Sequence, residues 1–339
     1  MNINVKTSSG SYDIVLQRSA LLKVGELLNL ERKVLIVTDS GVPEIYAKTV
    51  AKGCKEPVVL TIPQGEQSKQ TATLELLLKT MVENNFTRTD CVVAVGGGVV
   101  GDLSGFAAAI FMRGIDFYNI PTTVLSQVDS SIGGKTAVDF MGYKNLVGAF
   151  YPPKAVIIDP NTLKTLPKRQ ISNGLCEALK MATTCDKELF SVFENRDLTD
   201  DAVLDDIIYR ALLIKKYVVE TDEREGGLRK VLNFGHTLAH AVESINKMEK
   251  YYHGECVGIG MIPMCSQRVK ERLLPVLEKL GLPTVLEESA NELIEACRHD
   301  KKAFGDNITV VTVSEIGNFE MKNLSFDEFS DLVRSVALK

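Results

Sequence analysis

The first half of the chain alternates short runs of β-branched residues with stretches of helical length, and that order restricts the fold more than any other feature. VLIVTD (34–39), PVVLTIP (57–63), CVVAVGG (91–97), FYNIPT (117–122) and AVIIDP (155–160) are near-continuous apolar runs. Runs without polar alternation suit strands covered on both faces, as in a parallel sheet. Between several of them lie segments such as TATLELLLKTMVENN (71–85), long enough for the crossover helices that parallel strands require. An α/β fold is expected, with an N-terminal Rossmann-like, mostly parallel sheet and ligands at the carboxyl ends of its strands. The opening NINVKTSSGSYDIVL sets SSG between two alternating runs and predicts a hairpin.

Beyond Asp159 and Pro160 the pattern changes. Amphipathic segments cover 171–194, 200–221, 228–248 and 254–272, and strand signals return only in NITVVTVSEIGNFEMKNL (307–324). We therefore expect two domains, a sheet domain over 1–159 and a mainly α-helical domain over 160–339 with one late hairpin. The length agrees, since 339 residues exceed the roughly 250–300 at which a single core stops growing. A cleft between two such domains is the default place for a site.

Composition excludes several classes. A net charge of −5 and a pI near 5.6 leave no basic footprint for nucleic acid. The N-terminus has neither a basic region nor a long apolar run, and the most apolar stretch, Cys91 to Met112, is interrupted by Asp102 and Ser104. A cytoplasmic protein with no membrane span is expected. Seven cysteines, an odd number without CxxC spacing, argue against a disulfide framework or a zinc ribbon.

VAVGGGVVGDLSGFAAA (93–109) puts glycines after a strand and at the start of a helix, where open N–H groups and the helix dipole favour a phosphate. A plain strand-to-helix turn uses glycines too, but the strand context favours a nucleotide. Asp39, ending an earlier strand, stands where an acidic residue holds ribose hydroxyls. PTTVLSQVDSSIGGKTAVDFMGYKNLVGAFYPP (121–153) is too polar and glycine-rich for scaffold alone, and it carries Asp129, Lys135, Lys144 and Asn145.

Glu177 and Lys180, at i and i+3 in LCEALKMA, share one face of a largely apolar helix. Three of the four histidines, His236, His240 and His253, fall within eighteen positions. His236 and His240 have the i, i+4 spacing of a zincin, but threonine stands where that motif needs glutamate. A catalytic zinc takes three protein ligands and keeps an open position, so Glu177, His236 and His253 form a candidate set that leaves His240 for acid-base work. Histidines held in a core are the plainer alternative. Glu225, Arg229 and Asn233 lie just upstream of His236, and Arg229, Lys301 and Lys302 join Lys135, Lys180 and Lys215 in an inventory of cations suited to a phosphorylated substrate.

Taken together, GGGVVGD, PTTVLSQVDSSIGGKTAVDF, KNLVGAFYPP, LCEALK, DEREGGLRKVLNFGHTLAHAVE and HGE, in this order and spacing, closely resemble the 3-dehydroquinate synthase family of the sugar phosphate cyclases. The resemblance runs from about Asp39 to Lys302. It implies an NAD site of Asp39, Glu66, Lys69, Gly97, Gly98, Val99, Asp102, Thr122, Thr123, Lys135, Lys144, Thr162, Leu163, Lys164 and Thr165. It implies one zinc or cobalt ion on Glu177, His236 and His253. Substrate would meet Asp129, Lys135, Asn145, Lys180, Lys215, Arg229, Asn233, His240 and Lys302, with Arg113 supplied across a homodimer interface. Glu225 and His240 fall at the acid-base positions, and Lys135, Arg229 and Asn233 join them in the catalytic set.

The implied reaction, from the shikimate route to aromatic amino acids, converts 3-deoxy-D-arabino-heptulosonate 7-phosphate to 3-dehydroquinate and phosphate. It proceeds by transient NAD-dependent oxidation, β-elimination of phosphate, re-reduction and intramolecular aldol closure. Metal-dependent polyol dehydrogenases related to glycerol dehydrogenase and other sugar phosphate cyclases are the competing readings. The first have less need for so many Lys and Arg side chains.

Overall fold

The computed structural model describes residues 1–246, 250–286, 288–301 and 307–334. The chain divides into two compact units, Met1–Pro167 with Lys215–Glu223, and Lys168–Ile214 with Arg224–Lys339. The sequence pattern changes at 159/160, a little before this division, and nothing in it marks the segment 215–223 as belonging with the sheet.

In the first unit, β1 (Asn2–Thr7), β2 (Gly10–Leu16), β3 (Lys33–Asp39), β4 (Glu56–Ile62), β5 (Cys91–Gly96), β6 (Asp116–Pro121) and β9 (Ala155–Ile158) form one sheet in the order β1-β2-β9-β6-β5-β3-β4. Only β1 and β2, the expected hairpin, pair antiparallel; β2 to β9 and every other ladder run parallel. Helices α1 (Val24–Leu27), α2 (Glu44–Lys52), α3 (Thr71–Glu83) and α4 (Gly98–Ile110) accompany the strands. Leu35, Val37, Val92 and Ala94 enter one core with Leu77, Met81 and Leu103, whereas Val34, Ile36, Val93 and Val95 enter another with Val24, Ala47 and Val50. Successive side chains thus go to opposite, equally buried faces, the reason these strands read as unbroken apolar runs.

The polar stretch of 121–153 contains a second hairpin, β7 (Lys135–Phe140) with β8 (Tyr143–Phe150), outside the main sheet. Almost all of β8 is exposed, so no alternation of burial marks it in the sequence. Segment 215–223 is tied to this unit by Lys6 N–H donating to Glu220, Ser8 N–H donating to Glu223, and Lys215 donating to Asp129.

The second unit contains α5 (Lys168–Cys185), α6 (Lys187–Asn195), most of α7 (Asp201–Thr221), α8 (His236–Ile245), α9 (His253–Met261), α10 (Gln267–Lys279), α11 (Ala290–Lys301) and α12 (Phe326–Arg334). The late hairpin is β10 (Asn307–Glu315) with β11 (Asn318–Ser325). Three expected helices are broken. Asp186 ends α5 and caps α6 by accepting from the Glu188 and Leu189 N–H groups. Ser266 caps α10 after a turn that follows α9. Within 228–248, Leu228–Asn233 is a 3-10 turn, and α8 begins only after Gly235, whose φ of 78° is left-handed. Arg229 and Asn233 therefore lie on a separate turn from His236 and His240, and not on the single amphipathic segment over 228–248 that the pattern predicts.

No described helix is long and apolar enough to cross a membrane.

Candidate active site

In the first unit, the residues expected at the dinucleotide gather where β3, β5, β6 and β9 end. Asp39 closes β3; burial raises its pKa, partly offset by hydrogen bonds from the Gly41 and Val42 N–H groups. Gly97 caps α4 in extended conformation without a side-chain cap, leaving the first N–H groups of the helix facing outward from the turn. Gly98 and Val99 open that helix and are partly exposed. Thr122 N–H donates to Gly96 O at 2.9 Å, which ties the end of β6 to the glycine turn. Thr123 Oγ1 pairs with Ser126 Oγ at 2.8 Å. After β9, Asp159 caps the 3-10 turn Pro160–Thr165; its Thr162 and Leu163 are buried, and Tyr46 OH reaches Thr165 Oγ1 at 2.9 Å.

Lys69 is the hub of this side. Its Nζ lies 2.6 Å from Asp102 Oδ2, donates to Asn145 Oδ1, and stands 3.8 Å from Glu66. Burial opposes its charge, but Asp102 and Glu66 overcome that and raise its pKa. Asn145, expected at the substrate, is thus joined to residues expected at the dinucleotide. Its backbone N–H donates to Asp139, whose own N–H donates to Lys69 O. Lys144 and Lys135 are exposed on the hairpin, and Lys164 on the last turn. Met112 and Arg113 have successive φ values of 49° and 67°. Two adjacent left-handed non-glycine residues are uncommon and store strain.

In the second unit three helices converge. Glu177 and Lys180 on α5 are 0% and 1% exposed, with Lys180 Nζ 2.5 Å from Glu177 Oε2. Glu177 Oε1 lies 3.9 Å from His236 Nε2 and 3.4 Å from His253 Nε2. One ligand atom from each of the three lies within 4.8 Å of the others. A tetrahedral ion with bonds of about 2.1 Å needs ligand separations of about 3.4 Å, so little closure is required. Despite these ion pairs, neither Glu177 oxygen makes a hydrogen bond of good geometry. A fully buried carboxylate in that state, facing two imidazole nitrogens, fits a divalent cation.

Burial, reinforced by Lys180, pushes His236 down to about 3, so its imidazole is already in the neutral, ligating form. Burial opposes charge on His253 too, but the Glu177 and Glu243 carboxylates on either side of its ring raise it to about 9. Burial would raise Glu177, yet Lys180 and the histidines hold it well below the usual carboxylate range. His240 is exposed one turn beyond His236, its ring centroid 5.6 Å away. Asn233 Nδ2 donates to Glu225 Oε1 at 2.6 Å, and Arg229 is buried nearby on the 3-10 turn. Lys302 lies outside the described residues.

Two models of one family match consecutive parts of the chain: 3-dehydroquinate synthase N-terminal over 59–173 and 3-dehydroquinate synthase C-terminal over 174–303. A 3-dehydroquinate synthase of Campylobacter concisus (strain 13826) is 41% identical over 335 residues, covering 95% of each chain. The chain belongs to the 3-dehydroquinate synthase family. Among solved structures, a 2-epi-5-epi-valiolone synthase from Streptomyces hygroscopicus subsp. jinggangensis 5008, with NAD+ and Zn2+ bound, is 28% identical with a TM-score of 0.86, covering 96% of each chain. A 2-deoxy-scyllo-inosose synthase complexed with carbaglucose-6-phosphate, NAD+ and Co2+ is 23% identical, with a TM-score of 0.89 over 99% of this chain and 100% of that one. The second likeness shows the shared fold.

In this member of the family, sequence reasoning passed over the residues that hold the first turn of α9. Arg169 makes a bidentate pair with Glu255 at 2.7 and 2.8 Å and lies over the Tyr252 ring at 4.2 Å. Glu255 accepts from Tyr252 N–H in a capping box, and Gly254 N–H donates to Asn173 Oδ1 at 2.6 Å. The HGE tripeptide carries the signal, since glutamate at the third helical position is a capping-box residue. A Cβ on Gly254 would sit 2.0 Å from Asn173 O, a backbone atom that cannot swing aside. Gly254→Ala is therefore expected to destabilise the fold by about 1–3 kcal/mol and to weaken metal binding, because α9 must move away from α5. Thermal melting and cobalt titration of the variant check this; unchanged values for both would show that the close approach is not needed.

Proposed function

We propose that the chain acts as a 3-dehydroquinate synthase, releasing phosphate from 3-deoxy-D-arabino-heptulosonate 7-phosphate and closing the carbocycle of 3-dehydroquinate. The carrying observation is the cluster of buried Glu177 with half-buried His236 and His253, within a chain matched by this family's models over 59–303. When bound, NAD+ supplies a hydride acceptor that is regenerated each turnover, and the divalent ion supplies Lewis acidity toward the substrate's hydroxyl and ketone oxygens.

The chain's own residues do the rest. Glu177, His236 and His253 hold the ion. Asp39, Glu66, Lys69, Asp102, the turn Gly97–Val99, Thr122, Thr123, Lys144 and Thr162–Thr165 bind the dinucleotide, with the pyrophosphate at the open amino end of α4. Lys135, Lys180, Lys215 and Arg229, with Arg113 from a second subunit, bind the anionic groups of the substrate and stabilise charge on departing phosphate. Asp129, Asn145, Asn233 and Lys302 orient its hydroxyls. Glu225 and His240 exchange protons at the reacting carbons. Supporting the homodimer, Phe140, Met141, Tyr143, Leu146 and Phe150 are large apolar side chains exposed on the β7–β8 hairpin.

Purified protein incubated with the heptulosonate phosphate, NAD+ and zinc is expected to release phosphate and 3-dehydroquinate in equal amounts without net NADH. NADH accumulating from glycerol, with no phosphate released, would overturn the proposal in favour of a polyol dehydrogenase.

A further inference from the structure

Both expected ligand histidines present Nε2 to Glu177 and turn Nδ1 the other way. For His236, Nδ1 lies 3.1 Å from Phe234 O, an acceptor supplied by the chain just before α8. For His253, Nδ1 lies 2.9 Å from Glu243 Oε1. Glu243 is 4% exposed, and a carboxylate so buried is costly unless a donor or cation meets it. It sits on α8 seven residues after His236, two turns along the same face, so one helix brings both a candidate ligand and the carboxylate facing the other.

The clamps on the first turn of α9 fix the backbone of His253, but they leave its ring free to rotate. A ring turned over would offer Nδ1 to Glu177 and aim Nε2 elsewhere. A proton on Nδ1 directed at Glu243 selects the tautomer whose Nε2 carries the lone pair.

Resting on the metal reading above, we propose that Glu243 is a positioning residue of the metal centre. By accepting the Nδ1 proton of His253 it sets the ring orientation and tautomer that make Nε2 a ligand.

The test is Co2+ titration of the full-length chain, with affinity measured by chelator competition, the visible Co2+ spectrum recorded, and the His253 tautomer read by 15N NMR on the diamagnetic Zn2+-loaded protein. Glu243→Leu keeps most of the volume and removes the acceptor; it is expected to weaken Co2+ affinity about 10–100-fold, to alter the spectrum and to mix the tautomers. Glu243→Gln keeps an acceptor oxygen and should lose less, with the Nδ1–H tautomer retained. Should Glu243→Leu fail to fold, Glu243→Ala, which also removes the acceptor, decides: weaker binding with an altered spectrum supports the proposal. Affinity within about twofold of wild type together with an unchanged spectrum, in Glu243→Leu or Glu243→Ala, would overturn it while leaving the metal reading intact. Wild-type protein that takes up no Co2+ would overturn both.

Discussion

His236→Ala is expected to bind no stoichiometric cobalt or zinc and to lose turnover by about 10³-fold or more. Lewis acidity contributes several kcal/mol to such a reaction, and each 1.36 kcal/mol is about a decade in rate. The remaining Glu177 and His253, 3.4 Å apart, cannot close a three-ligand set. The metal-free fold should change little, because His236 is neutral and its loss leaves no buried charge unpaired. Added cobalt at about 100 times its dissociation constant should stabilise wild type by about 2.7 kcal/mol and leave the variant's melting temperature where it was. Metal per chain after desalting, phosphate release and melting curves with and without cobalt check this. A variant that retains one ion per chain would remove His236 from the site.

The second large effect concerns Lys69. Lys69→Met keeps the length of the side chain but leaves Asp102, only 19% exposed, without its cation at 2.6 Å. Breaking a buried pair from one side costs about 3–5 kcal/mol, and the residual exposure of Asp102 puts this case near about 3. At about 2–4 °C per kcal/mol, the melting temperature should fall by about 6–12 °C. NAD+ affinity should fall as well, since the hairpin residue Asn145 loses its tie to Lys69. Adding Asp102→Asn should recover part of the loss, and the double-mutant cycle measures how much. A fall below about 2 °C would show that solvent already satisfies Asp102.

Much of this was legible in advance. The parallel strands declared themselves because both of their faces are buried, so their apolar runs have no gaps. The histidine cluster and Glu177 stood out by residue type, since few other side chains suit a divalent ion in an apolar setting. Helix limits were harder. The segment 228–248 keeps its apolar periodicity through the 3-10 turn and α8 alike, although Gly235 between them takes a left-handed φ of 78° that ends any common axis. The β7–β8 hairpin was hidden because its outer strand buries almost nothing.

By itself the sequence determined the layered α/β plan, the glycine turn after β5 and the residue types that suit a metal and a phosphorylated ligand. Apolar periodicity records the burial of each residue's own side chain, and that much is local information. Which atoms meet is decided by helices distant in the chain packing together. That packing placed Glu177 of α5 against the rings of α8 and α9, joined Lys69 to Asp102 and Asn145, and gave His253 a carboxylate at each of its nitrogens.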